Sequence, residues 1–313
     1  MTERKIDVIV VGEINIDLVL WQVPMPEDEK EKLAADMRFT MGSSSAITAH
    51  NLAALGTRVA FVGKAGRDTF GRYMADQLHA AGVDTSHIIA DQNLKTGATI
   101  VLANPPKKAL LTYMGAMRNL TLEDMDWDFI AGARHVHVGC FFLQTGIRGD
   151  VWKLFARAKE LGLTTSLDTN WDPEEKWGDD LTRALPFTDV FLPNEDEALR
   201  IARTADLQKA MESIGRQVKT LVVKRGAEGA TGWRNGETTQ VPPYKIEVIE
   251  TTGAGDSFNA GFLHHFLLGK LMKDCLVFGS ACGALAVTQM GGTEAFRDPS
   301  QAQKKLRQIM NEE

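Results

Sequence analysis

Residues 250–262 read Glu-Thr-Thr-Gly-Ala-Gly-Asp-Ser-Phe-Asn-Ala-Gly-Phe, a run whose residue types and spacing suit the handling of an anion. Gly253 and Gly255, two apart, let the backbone approach a ligand closely, so that successive N–H groups converge on one small volume. Phe258, Phe262, Leu263 and Phe266 follow at helical spacing. The open amides and the positive end of the helix dipole therefore fall at 253–256. Asp256 has two readings there. It caps the helix by accepting a backbone N–H, or it is the carboxylate that phosphoryl transfer needs, taking the proton of an attacking hydroxyl while amides stabilise the moving charge.

Other candidates are weaker on residue type alone. Asp168 and Asn170 end an apolar run on the side where parallel α/β sheets place ligands. Gly42-Ser43-Ser44-Ser45 precedes a helical pattern and is either a plain serine cap or a second set of exposed amides and hydroxyls. The acidic run Asn194-Glu195-Asp196-Glu197 suits a helix start through the dipole. His135 and His137 alternate on a strand without a third ligand nearby, which speaks against a metal. Cys140, Cys275 and Cys282 show neither CxxC nor Cys/His spacing, so a reducing compartment is expected, with no disulfide framework and no structural zinc. Cys275 and Cys282, seven apart in an apolar helical pattern, read as core residues.

The elements that must hold these residues follow from periodicity. The chain has 313 residues, 44% hydrophobic and 24% charged, enough for a large core. Its net charge of -6 argues against nucleic acid or an anionic membrane as the main partner. The N-terminal apolar run is too short for a signal peptide and ends at Gly12, so it reads as a strand; no stretch reaches membrane-span length. Strand and helix patterns alternate through 6–11, 46–55, 59–62, 69–81, 83–89, 135–140, 147–161 and 164–168, which predicts a doubly wound α/β fold. Further strands are expected at 190–192, 220–223, 230–233 and 239–241, and the last third is mostly helical. The Ala, Gly and Ser content of 276–290 permits close approach to a sheet or a flat ligand. Two β excursions, about 14–40 and 96–116, interrupt the alternation, the second with a turn at 104–108. Pairing of the two would make a small sheet able to act as a lid. No composition shift marks a second domain, so one domain over 1–313 is expected.

The run Thr-Thr-Gly-Ala-Gly-Asp-Ser-Phe-Asn-Ala-Gly-Phe resembles the C-terminal signature of the ribokinase-like, or PfkB-type, carbohydrate kinases. It is not a Walker A loop, because no Gly-Lys-Ser/Thr follows. The resemblance covers essentially the whole chain and implies a three-layer α/β/α domain with a mostly parallel sheet and a β lid. By it, Asp256 is the catalytic base and Gly253, Ala254 and Gly255 form the anion hole. Asp17, in Gly12-Glu13-Ile14-Asn15-Ile16-Asp17, would bind sugar hydroxyls. The stretch 42–46 sits where the family often carries a Gly-Gly turn with a sugar-contacting asparagine; Met41 replaces the first glycine and Ala46 the asparagine, which leaves Gly42 and Ser43 to contact the sugar. Asp168 and Asn170 match a substrate-side patch of the fructokinase-like branch. The arginine often found just after that patch is missing, which counts against an acidic sugar. Asn194 and Glu197 match an NxxE motif that organises magnesium through water. Lys224, Gly226 and Gly229 match the nucleotide turn, and Ser280, Ala281 and Gly283 the helix beside adenine. Gly291-Gly292-Thr293 matches a loop beside a monovalent-cation site, where Glu250 replaces the usual aspartate and leaves potassium activation open.

The resemblance therefore implies an ATP- and Mg2+-dependent kinase acting on a primary hydroxyl of a sugar of the ribose, fructose or ketodeoxygluconate type. It implies a cytoplasmic protein whose partners are the sugar and ATP, and leaves open a homodimer through the lid. A nucleoside kinase of the same family is the alternative within the enzymes, and a non-catalytic sugar sensor is the alternative outside them.

Overall fold

A computed structural model describes residues 4–104 and 107–311. Pro105 and Pro106, inside the expected hairpin turn, lie outside the described residues. In chain order the elements are β1 (Ile6–Val11), β2 (Asn15–Trp21), β3 (Asp36–Met41), α1 (Ser44–Ala54), β4 (Val59–Gly66), α2 (Thr69–Ala80), β5 (Asp84–Asp91), β6 (Gly97–Asn104) and β7 (Lys107–Tyr113). Then come α3 (Trp127–Ala131), β8 (Ala133–Val138), α4 (Val151–Glu160), β9 (Thr164–Leu167), α5 (Asp179–Ala184), β10 (Val190–Phe191), α6 (Glu195–Ile201) and α7 (Leu207–Gly215). The chain closes with β11 (Thr220–Lys224), β12 (Ala230–Arg234), β13 (Glu237–Val241), α8 (Ala254–Leu267), α9 (Met272–Ala286) and α10 (Pro299–Met310).

Among the described residues, nine strands form one sheet in the order β13-β12-β11-β10-β9-β8-β1-β4-β5. It is parallel from β11 to β5, and β12 and β13 add an antiparallel edge. The continuous apolar run of β1 is explained by its central place. Val8 and Val10 pack into one core with residues of α1, α8, α9 and α10, while Ile9 and Val11 pack into another with residues of α4 and α7. Both faces of the sheet are thus covered, which makes three layers.

The two excursions pair with each other. β2 runs parallel to β6 and antiparallel to β3, and β7 closes the far side, giving a second sheet in the order β3-β2-β6-β7. The expected small sheet is therefore present, with Asp17 opposite both Thr40 and Thr99.

The α9 helix lies against the sheet, as expected, and also against α8. A Cβ on Gly232 of β12 would lie 2.7 Å from Met272 Sδ of α9, one on Gly261 of α8 would lie 2.6 Å from Cys282 Sγ, and one on Gly279 would lie 3.1 Å from the Phe258 carbonyl oxygen. This close pairing buries α8 on nearly all sides. The first turn of α8 is thereby fixed over the C-terminal ends of the parallel strands, where such sheets place ligands.

Candidate active site

Gly253 has φ 75 and precedes α8 without a side-chain cap. That left-handed conformation suits glycine. A Cβ there would also collide with Gly292 Cα, so the turn rests directly on the 291–293 loop. Ala254 N donates to the Thr251 carbonyl at 3.3 Å, whereas the amides of Gly255 and Asp256 donate to no other described residue. The open donors are thus Gly255 and Asp256; of the Gly253, Ala254 and Gly255 amides expected to form the anion hole, that of Ala254 is drawn back to Thr251 as the chain enters the helix.

Lys224, at the end of β11, is at the centre of the site. Its Nζ lies 2.8 Å from Asp168 Oδ2 and 3.2 Å from Asn259 Oδ1, and 3.6 Å from where a Gly255 Cβ would stand. Asn259 Nδ2 also donates to Asp168 Oδ2. Burial works against the lysine's charge, but Asp168, Glu197 and Asp256 surround it and raise its pKa. Asp168 is held below the ordinary range: burial alone would raise it, and Lys224 together with donors from Asn170 and Asn259 overcomes that. Asp256 goes the other way, pushed well up by burial and by the charge of Asp168. Three carboxylates thus share one lysine, and their environments drive their pKa values apart.

Asn194 and Glu197 form a reciprocal cap at the start of α6. Glu197 Oε2 accepts the Asn194 backbone N–H at 2.8 Å, Oε1 accepts Asn194 Nδ2 at 2.8 Å, and Glu197 N donates to Asn194 Oδ1 at 2.8 Å. Burial and the charge of Asp168 raise the Glu197 pKa to about 7. Both of its oxygens are already engaged, so this pair fits a magnesium ion held through water better than one bound directly; the all-oxygen donor set suits a hard cation.

The lid end of the site is built on Asp17. Asn15 Nδ2 donates to Asp17 Oδ1 at 3.1 Å and to Thr99 Oγ1 at 3.2 Å, and Thr99 meets Thr112 at 3.2 Å. Gly42 has no room for a side chain, because a Cβ would strike the Asp17 carboxylate. Burial, and after it the charge of Glu250, lifts Asp17 to about 7. Glu250 itself binds the Thr252 amide at 2.6 Å and the Gly291 amide at 3.3 Å, tying the two loops at the GAGD turn together.

Sequence reasoning missed Glu13. It is buried after β1, accepts the Ser45 amide at 3.1 Å and hydroxyls from Ser43 and Ser45, and its charge acts on both Asp17 and Asp256. Its signal lay only in being a carboxylate straight after a buried strand. Ser43 has φ 69, in the left-handed half of the map that favours glycine. Its hydroxyl donates to the Glu13 carbonyl at 2.6 Å and accepts the Ala46 amide at 2.9 Å. These bonds hold a strained residue in place. We expect Ser43→Ala, which keeps the strain and loses the bonds, to be less stable in urea than Ser43→Gly by about 1 kcal/mol. The reverse order would show that the backbone there is unstrained.

The remaining candidates divide. Asn170 Nδ2 donates to Ser44 Oγ at 2.9 Å and so joins β9 to α1 at the site. Gly226 and Gly229 turn the chain after β11 with φ 52 and 83. On α9, Ser280 keeps a buried hydroxyl without a partner. Ala281 is fully buried in the core, and a Cβ on Gly283 would stand 3.2 Å from the Ala254 carbonyl oxygen. Ser280 is therefore the member of that trio with a free polar atom. His135 and His137 share Ser166 Oγ at 2.7 and 2.8 Å, a core arrangement. All three cysteines are free and buried.

Known proteins resemble this chain along nearly its whole length. A family model described as pfkB family carbohydrate kinase matches residues 5–299. The 5-dehydro-2-deoxygluconokinase of Bacillus subtilis is 27% identical over 310 residues, covering 94% of this chain and 94% of its own. An E. coli protein described as ribokinase II, solved with ATP and Mg2+, has a TM-score of 0.85 at 25% identity, covering 97% of this chain and 99% of its own. Arabidopsis thaliana ribokinase, solved with ribose and ATP, shares the fold with a TM-score of 0.83 at 24% identity, covering 96% and 98%. Matched by that family model over nearly its whole length, this chain belongs to the pfkB family of carbohydrate kinases.

Proposed function

We propose that this sugar kinase transfers the γ-phosphoryl of ATP to a primary hydroxyl of a monosaccharide, with Asp256 as the base. The observation that carries the reading is the Asp256 carboxylate in the first turn of α8, beside two unpartnered amides and the Lys224 ammonium. Asp17 and the Asn15–Thr99 pair hold sugar hydroxyls, Gly42 and Ser43 wall the sugar, and Asp168 and Asn170 fix Lys224 and α1 around it. As attack begins, the hydroxyl proton passes to Asp256 and the amides of Gly255 and Asp256 face the charge on the transferring phosphoryl. Lys224 offers the phosphates a point charge. Gly226, Gly229 and Ser280 receive the nucleotide. Magnesium, held through water near Glu197 and Asn194, would neutralise phosphate charge when bound.

The lid supports a further part of the reading. Phe39, Leu18, Ile100 and Leu111 stand side by side across its four strands, and Phe39, Ile100 and Leu111 are exposed. An apolar band of this kind suits pairing of two lids into a homodimer. Among the described residues no helix is long and apolar enough to cross a membrane. Dependence on ATP, with three buried free thiols, fits work in the cytoplasm.

The test is ADP production with Mg-ATP over ribose, fructose, ketodeoxygluconate, fructose phosphates, adenosine and cytidine, with and without potassium. Turnover on one sugar class is expected. Sugar binding without turnover would replace the kinase reading by a sensor, turnover on a nucleoside would move the acceptor class, and a monomer by light scattering would remove the dimer.

A further inference from the structure

A charged acceptor needs a cation, and the position just after the 168–171 patch does not supply one. Asp172 stands there, buried, with its carboxylate accepting the amides of Glu174, Lys176 and Trp177 at 3.0, 2.9 and 2.8 Å. Lys224 is already committed to Asp168 and Asn259. Cations do stand on the lid side. A cavity of about 530 Å³ opens where the lid meets the large sheet, lined by Lys95, Arg118, Thr112, Asn93, Asn119 and Gly115 among others, with no carboxylate in its lining.

Three features set this cavity apart from an ordinary solvated basic surface. First, neither Lys95 nor Arg118 forms an ion pair or side-chain hydrogen bond with another described residue, although nearby Lys64 is neutralised by Asp124 at 2.7 Å. Second, the segments that carry the two cations are locked together. Ala116 N donates to the Lys95 carbonyl at 2.8 Å, and Gly115, at φ 52, brings the backbones so close that a Cβ would strike Lys95 O. Third, the cavity wall leads to the sugar-binding end of the site. Thr112 meets Thr99 at 3.2 Å, and Asn15 joins Thr99 to Asp17.

We propose that the acceptor sugar carries an anionic group, a carboxylate or a phosphate, distant from the hydroxyl that is phosphorylated, and that Lys95 and Arg118 bind it. This rests on the kinase reading above and adds the acceptor's chemical class. Arg118 supplies a planar fork matched to either group and Lys95 a point charge beside it. Asp17 takes the hydroxyls between the anionic end and Asp256.

The experiment compares wild type with Arg118→Ala, Lys95→Ala and the double variant, all changes at exposed positions. Acceptors are fructose and ribose as neutral sugars, ketodeoxygluconate as the carboxylate and fructose 6-phosphate as the phosphate, with binding of each followed by calorimetry beside turnover. One anionic acceptor is expected to have a KM or Kd at least about tenfold below those of the neutral sugars, and each single variant to weaken it by about tenfold. KM for ATP serves as the control that the nucleotide side is intact. Which arm responds separates carboxylate from phosphate. A neutral sugar preferred by wild type, or anionic binding unmoved in the double variant, overturns the proposal. Failure of the kinase reading is distinct: it would show as bound acceptor with no ADP formed in wild type.

Discussion

Replacing Asp256 by Asn will lower kcat by at least about a hundredfold, the usual scale for loss of a positioned general base, while Mg-ATP binding stays close to that of wild type. The substitution keeps the shape of the side chain, and the two free amides of the first turn of α8 remain. The pH profile gives a second reading. Burial and the charge of Asp168 push Asp256 above the usual carboxylate range, so wild-type kcat should fall on its acid side as this group takes up a proton. In Asp256→Asn that limb should vanish with the rate it governs. Calorimetry with ATP and steady-state rates across pH make the check. A variant that turns over at a near-normal rate would transfer the base role to another group.

The second large effect is on stability. Lys224→Met removes the one cation from among Asp168, Glu197 and Asp256, and an uncompensated buried charge typically costs about 3–5 kcal/mol. Asp168 would lose the ion pair that holds its pKa down. Glu197 works in the opposite sense. Its folded pKa of about 7 lies above its ordinary 4.5, so the folded state binds the extra proton and this group's contribution to stability is present below about pH 4.5 and lost as pH rises towards 7. Without Lys224 both carboxylates should protonate more readily, so the variant should lose more stability than wild type between pH 5 and 8. Urea unfolding at several pH values reads this directly. An equal deficit at every pH would mean that the loss is one of packing alone.

The parts of this molecule that sequence shows are those encoded within a few neighbouring residues. Continuous apolar runs marked buried strands such as β1, and the Gly253–Asp256 spacing marked the amide turn. Both readings of Asn194 and Glu197 describe the same atoms, since the NxxE pair closes on itself as a helix cap. What stayed hidden depends on register between distant segments. Asn259 looks like an ordinary polar residue in a helix until α8 is laid over β9 and it meets Asp168. Glu13 has no local partner, because Ser43 and Ser45 arrive thirty positions later. Asn15 and Thr99 become one site only when two excursions choose the same alignment, and no periodicity within either states that choice.

The parallel pairing of β2 with β6 has a consequence for how the chain acquires its shape. Asn15 lies opposite Gly97, and the segment between them contains α1, β4, α2 and β5 of the larger sheet. Closing so long a loop before the intervening elements are placed costs chain entropy with little return. The small sheet should therefore assemble last and open first, a separate cooperative unit riding on an already formed base. Amide exchange would then be faster in residues 15–21 and 97–104 than in 8–11, so that the substrate would meet a platform that opens locally without the rest of the protein unfolding.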